Sequence, residues 1–197
     1  MKRLLIIFSV LLLTTTITRA QSFHFGIKAG TALSGVSGNG MRNKFYPGLQ
    51  GGVYAEKAIT KKWSIQPEVL LTQTIVSKNS DFTKYYNSEG RPDGADKAKL
   101  LYLAIPVLVK YNVTPIISIV AGPQYSARLY ANEDYLHGDH NAFKSSEFSA
   151  TGGIQVNLGT VSFYGRYSRG ISNINDIDDR YTWYSNQLLL GMSIKIK

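Results

Sequence analysis

The chain has 197 residues, with 22 basic against 13 acidic side chains, a formal charge of +9 and no cysteine. That length suits a single domain, and the lack of thiols excludes both a disulfide framework and a cysteine-linked lipid anchor. No Lys/Arg-rich run supports nucleic-acid binding, so the basic excess points to anionic lipid headgroups or lipopolysaccharide phosphates.

Met1-Lys2-Arg3, the apolar stretch Leu4 to Leu13 and the segment Thr18-Arg19-Ala20 have the basic, apolar and small-residue parts of a secretory signal peptide, too short to span a bilayer. Cleavage is expected after Ala20, which makes residues 1–20 a signal peptide and residues 21–197 the exported domain. Beyond it, Gly, Pro, Asn and Asp punctuate apolar-alternating segments at 22–32, 47–58, 63–77, 98–112, 115–130, 145–157, 160–171 and 183–196. The connections at 59–62, 112–115 and 157–160 are tight, whereas 33–46, 78–97, 131–144 and 172–182 are long and polar. This rhythm predicts an all-β fold, an eight-stranded antiparallel up-and-down transmembrane β-barrel with periplasmic turns, extracellular loops and both termini in the periplasm.

Side chains alternate between the two faces of a strand. In the first segment Phe23, Phe25, Ile27 and Ala29 oppose His24, Gly26, Lys28 and Gly30. In the third, Trp63, Ile65, Pro67, Val69 and Leu71 oppose Gln66, Glu68, Thr72 and Thr74. The fourth sets Leu101, Leu103, Ile105, Val107, Val109 and Tyr111 against a face ending in Lys110. A lipid-facing charge costs about 2–4 kcal/mol at the bilayer midplane, so the uncharged stripe is the outer face. The lumen then receives Lys28, Gln50, Glu56, Gln66, Glu68, Lys110, Gln124, Arg128, Gln155, Arg166 and Lys195, expected to form a salt-bridged polar core that plugs it. A soluble lipocalin-like barrel would turn the same alternation inside out around a ligand cavity. Aromatic residues at strand ends, Phe23, Trp63, Tyr111, Phe148, Tyr181, Trp183 and Tyr184, are expected to form interfacial girdles.

The stretches Ser64-Ile-Gln-Pro-Glu-Val-Leu70, Tyr102-Leu-Ala-Ile-Pro-Val-Leu-Val-Lys-Tyr111, Ala121-Gly-Pro-Gln-Tyr125 and Arg166-Tyr-Ser-Arg-Gly-Ile-Ser-Asn-Ile174 resemble, in their order and spacing, the Bacteroidota outer-membrane β-barrel family that includes the PorT-like proteins. The resemblance spans almost the whole exported chain. It implies an outer-membrane barrel, and its PorT-like branch implies assembly of a type IX secretion apparatus. The chain departs from that pattern at Ala104, where the family has an acid, and at its C-terminus, Ile194-Lys-Ile-Lys197, where the family often ends in an aromatic residue.

Catalytic or metal chemistry would have to come from the loops or the outer rim. His137-Gly-Asp139-His140, with Glu133 and Asp134 before it and Ser145 after it, could supply metal ligands or a general base near a serine. It lacks a third ligand of fixed spacing and a nucleophile motif, so a solvated loop is the preferred reading. The run Asn173 to Asp179, with Asp176, Asp178 and Asp179, resembles an oxygen-rich calcium loop but lacks its glycine and terminal glutamate, and reads as a hydrated turn. The glycines of Gly35-Val-Ser-Gly-Asn-Gly40 read as loop flexibility. Tyr85-Tyr86, Tyr130 and Tyr135 are potential binding surface.

The expectation is a non-enzymatic outer-membrane protein without catalytic residues, metal or cofactor, serving a structural, binding or envelope-assembly role. Its expected partners are outer-membrane lipid and lipopolysaccharide, the barrel assembly machinery during insertion, and an envelope or secretion-complex partner. A lipid A or phospholipid-modifying enzyme, a narrow channel and a lipocalin-like binder are the alternatives.

Overall fold

The computed structural model describes residues 23–79, 81–86, 97–132, 142–177 and 180–197. The expected signal peptide and Glu133, Asp134, Tyr135, His137, Asp139, His140, Asp178 and Asp179 lie outside the described residues. Eight strands follow one another: β1 (Phe23–Ser37), β2 (Tyr46–Ala58), β3 (Trp63–Ser77), β4 (Lys97–Asn112), β5 (Ile117–Asn132), β6 (Ser146–Leu158), β7 (Val161–Gly170) and β8 (Tyr184–Lys195). Each pairs antiparallel with its sequence neighbours, and β8 closes the barrel on β1 through a register running from Gly26↔Lys195 to Ser37↔Tyr184. Closure leaves no free sheet edge, which is what a bilayer without hydrogen-bonding water demands.

Strands of 10 to 16 residues exceed the roughly 9–11 needed to cross at a tilt. The surplus explains the main boundary difference. The sequence pattern ends the first strand at residue 32, yet β1 continues through Ser34, Gly35 and Val36 to Ser37, paired with β8 throughout. Above the lipid the outer face has no need to be apolar, so the alternation fades while the hydrogen-bonded ladder continues. Three prolines interrupt the ladders from within. The β2–β3 register skips from Tyr54↔Glu68 to Lys57↔Ile65 around Pro67, and the neighbouring registers skip at Pro106 and Pro123, as expected for residues with no N–H to give.

Two of the three tight turns share one device. Thr60 Oγ1 accepts the backbone N–H of Lys62 and Trp63 at 3.2 and 3.0 Å, and Thr114 Oγ1 accepts those of Ile116 and Ile117 at 3.3 and 2.9 Å. The β6–β7 turn uses Gly159 at φ +69° instead. A helical turn, α1 (Phe82–Tyr85), interrupts the β3–β4 loop.

The faces divide by polarity. Phe25, Ile27, Val53, Ile65, Val69, Leu71, Ile105, Val107, Val109, Ile119, Leu190 and Met192 are exposed on the outside, while Ser64, Gln66, Glu68, Thr72, Thr74, Gln124, Thr151, Gln155 and Arg166 are buried inside. This is the reverse of a lipocalin. Space inside is tight enough to dictate small residues. Gly30 and Gly191 are register partners across the β1–β8 seam, and the Tyr164 ring lies against them, so that a Cβ at Gly191 would stand 2.5 Å from the Tyr164 hydroxyl and 2.7 Å from its Cζ.

A Gly191→Val substitution should therefore push Tyr164 out of its slot and cost about 1–3 kcal/mol as an overpacked site. The measurement is the urea midpoint of the boiled-versus-unboiled gel mobility shift, which should fall for this variant and stay put for Gly159→Asn in the turn.

Candidate functional site

The interior is stratified from the loop end to the turn end. At the loop end the inward residues of the upper strands, Val36, Val76, Ala98, Leu100 and Tyr102, meet loop residues Met41, Phe82, Tyr86, Ala142, Phe143, Ile174 and Trp183 in one buried apolar cluster. Trp183 is its centre. It is 0 % exposed, its ring centroid lies 5.2 Å from Phe143, 5.7 Å from Tyr86 and 6.3 Å from Phe82, and its indole N–H donates to the Asn39 carbonyl at 3.0 Å. Isolated bridges Met41↔Lys78 and Phe143↔Asn175 tie the loops to one another in pairs.

Several expectations are corrected here. Trp183 is no girdle residue but the middle of the cap, and Tyr181 packs against it. Phe23, Trp63 and Phe148 are outward as expected, with Trp63 and Tyr111 rings 4.6 Å apart at the turn-side rim. Tyr86, expected as exposed binding surface, is 1 % exposed and belongs to the cap, whereas Tyr130 is exposed. Gly40 is more than a flexible loop residue: it combines φ +77° with aromatic neighbours, Tyr86 and Phe82 carbons standing 3.2–3.3 Å from where a Cβ would be. The run after Asn173 is not simply hydrated. Ile174 and Asn175 are buried, Asn173 Oδ1 accepts from the Asn175 and Trp183 N–H groups, and Asn175 Nδ2 donates to the Tyr181 carbonyl at 2.7 Å. Asp176 points away, exposed. No group of metal-ligating residues occurs among the described residues.

The middle layer is ionic. Glu68, from β3, accepts from Lys28 Nζ of β1 at 2.8 Å, from Gln66 Nε2 at 2.6 Å, and from Arg166 Nη1 of β7 at 3.0 and 2.9 Å through its two oxygens. All four residues are buried. One carboxylate thus serves two cations, Lys28 from two strands away and Arg166 from across the barrel. Tyr164 supplies a further electrostatic partner, its ring 4.2 Å from Lys28 Nζ and 4.9 Å from Arg166 Cζ, and its hydroxyl donates to Gln50 Oε1 at 3.3 Å. Arg166 Nε and Nη2 have no hydrogen-bond partner among the described residues. Above this layer Gln50 Nε2 donates to Thr72, Gln187 Nε2 to Thr74, and Thr151 Oγ1 to Ser168 and Gln124.

Near the loop end the sequence reading missed Glu147, which is buried on β6 and accepts a hydrogen bond from the Ser185 hydroxyl. Its signal was available: Glu147 shares inward parity with Gln155. Arg128 takes its inward position beside Tyr102, half buried, at a β-bulge between Leu101 and Tyr102. Because of the bulge, Leu129 and Tyr130 both face out.

At the turn end the filling thins. A cavity of about 590 Å³ is lined by His24, Glu56, Lys61, Lys62, Lys110, Gln155 and Lys195 among others. Lys110 Nζ donates to Glu56 Oε2 at 3.0 Å across the intervening strand β3. Beneath them Ser118, Asn157 and Asn112 form a side-chain web, with Asn157 Nδ2 donating to Ser118 at 2.8 Å and Ser118 to Asn112 Oδ1 at 2.7 Å.

On the outside, near the loop end, Leu49, Leu71, Leu101 and Tyr130 line a shallow apolar groove that also borders Gln73, Lys99 and Asn132. On the same rim Lys44 and Lys97 bracket the Tyr46 ring, at 6.0 and 5.0 Å. Arg42 is exposed beside them.

A closed antiparallel eight-strand wall, apolar outside and polar inside, defines an outer-membrane barrel. The chain belongs to the family described as outer membrane protein beta-barrel domain, whose model matches residues 19–176. Solved structures give the same architecture at low identity. Neisserial surface protein A matches with TM-score 0.53 and 15% identity over 90% of this chain and 100% of its own. Ail, the attachment invasion locus protein of Yersinia pestis, solved in complex with the heparin analogue sucrose octasulfate, matches with TM-score 0.52 and 12% identity over 89% of this chain and 99% of its own. OprG of Pseudomonas aeruginosa matches with TM-score 0.50 and 15% identity over 89% and 97%. No curated protein matches the sequence.

Two outcomes follow from the interior. Removing the shared carboxylate with Glu68→Ala should cost about 3–5 kcal/mol, because two buried cations lose their partner. Lys28→Met should cost clearly less, since Arg166 still pairs with Glu68; urea titration of the gel mobility shift ranks the two. In a Trp63→Phe variant, leaving Trp183 as the sole tryptophan, fluorescence should resist both acrylamide and brominated lipid, whereas the reverse variant Trp183→Phe should be quenched by the lipid.

Proposed function

We propose that the protein is a non-enzymatic outer-membrane binding protein, a plugged barrel that holds its loops as a firm recognition surface for an envelope partner. The carrying observation is the aromatic core under the loops. A barrel serving only as an anchor has no need to bury Trp183, Phe82, Tyr86 and Phe143 above the membrane, whereas a loop surface that binds gains from being ordered in advance. The filled ionic layer around Glu68 supports a plugged lumen over a narrow channel.

The same rim supports a lipid partner. Exposed Arg42, Lys44, Lys97 and Lys99 above an apolar groove suit the phosphates and acyl chains of lipopolysaccharide in the outer leaflet. Within the wider family, the order and spacing of the four segments around Glu68, Lys110, Gln124 and Arg166 support the Bacteroidota group that includes the PorT-like proteins, so a secretion assembly is one candidate among envelope partners.

Photo-crosslinkers placed at Lys84 and Arg180, both exposed on the loop side, should capture a discrete envelope protein in cells. Trp183→Ala should abolish that adduct while the barrel keeps its gel mobility shift. Absence of any protein adduct, or an altered lipid A or phospholipid profile on His137→Ala/His140→Ala substitution, would overturn the reading, the second in favour of a lipid-modifying enzyme.

A further inference from the structure

We infer that the cavity at the turn end of the barrel is a binding site for a small phosphate- or carboxylate-bearing solute that enters from the periplasmic side. The cavity is lined at the short turns by Lys61, Lys62, Thr114, Pro115 and Gly159 and reaches along the strands to Tyr54; the buried Lys28, Glu68 and Arg166 lie further into the lumen, so a compact molecule can seat in the space between. Its volume of about 590 Å³ falls within the roughly 300–1,000 Å³ of small-molecule sites.

Charge selects the class of occupant. The lining carries Lys61, Lys62, Lys110 and Lys195, with His24, against one carboxylate, Glu56. That carboxylate is already engaged by Lys110 at 3.0 Å, and none of Lys61, Lys62 and Lys195 pairs with a carboxylate of the described residues. Three lysines without an acidic partner among the described residues therefore line one small volume, Lys61 and Lys62 from the exposed β2–β3 turn at its mouth and Lys195 from β8, with the excess positive charge of the ionic layer behind them. A pocket with low-dielectric walls and one sign of charge focuses its field on an anion. Lysines act on such an anion as movable point charges rather than as planar forks, which suits a tetrahedral phosphate or a carboxylate in a wet pocket. The inward strand positions of His24, Lys110 and Lys195 direct this charge into the lumen, away from lipid headgroups on the outer wall.

The test is a nitrogen-15 NMR titration of the folded mature protein in maltoside detergent, which contains no phosphate, using inorganic phosphate and acetate with chloride at matched ionic strength as control. Saturable shifts confined to His24, Lys61, Lys62 and Lys195 are expected with phosphate or acetate and not with chloride. Affinity should fall about fivefold for each lysine removed in Lys195→Gln and Lys61→Gln/Lys62→Gln, with the gel mobility shift showing that both variants fold. Uniform non-saturating shifts, or lysine variants with unchanged affinity, would overturn the site. Shifts produced by phosphatidylglycerol bicelles but not by free phosphate or acetate would assign the lysines to lipid headgroups and equally overturn it.

Discussion

Everything in this molecule depends on closing eight strands in a medium without hydrogen-bonding water. Closure satisfies the backbone, but it also fixes a narrow interior whose cross-section side chains must fill. The filling has to be polar in parity with an apolar exterior, and its charges have to be compensated because they are buried. Glu68 meets that constraint by accepting from three side chains at once. The paired glycines Gly30 and Gly191 are where Tyr164 finds room. A cation-rich layer with a single carboxylate is tolerable because the Tyr164 ring stands over both Lys28 and Arg166.

The two ends of the barrel solve the problem of termination in opposite ways. Toward the loops, the inward face becomes apolar at Val36, Val76 and Leu100, and the loops add their own aromatic residues until the interior resembles the core of a soluble protein. Toward the turns, the interior loosens into amides, hydroxyls and lysines around a cavity of about 590 Å³. A single strand such as β4 serves both regimes, burying Ala98, Leu100 and Tyr102 in the cap and Lys110 in the basic mouth. The molecule is thereby polarised along its axis, with a packed apolar cap at the loop end and an open polar cavity at the turn end.

How legible this was in the sequence follows from where periodicity carries information. Within lipid, a one-residue slip would put Lys28, Glu68 or Lys110 into hydrocarbon, so alternation had to be strict, and strand number, order and inward faces could be read directly. Above lipid that penalty vanishes. The upper part of β1 looked like a glycine-rich loop because its ladder, rather than its polarity, defines it. Trp183 and Tyr86 looked like girdle or surface residues because their burial arises from contacts between four separate loops, a tertiary fact without local period. The ionic centre shows the same limit at shorter range: parity placed Lys28, Glu68 and Arg166 in the lumen, but only the closed wall shows that the two cations share one acid.

The loop core also changes what variation the chain can bear. In an ordinary surface loop, substitutions and insertions are tolerated because little packs against them. Here Met41, Phe82, Phe143, Ile174 and Trp183 come from four connections and form one apolar layer, so the four loops are coupled through it, and a change in one is felt by the shape of the rest. Between these anchors lie exposed residues such as Lys84, on a surface whose scaffold is set. That division, aromatic anchors beneath and exposed charged residues above, means that the loop surface takes its shape from the buried layer, and the layer in turn stands on the inward faces of the strands below it.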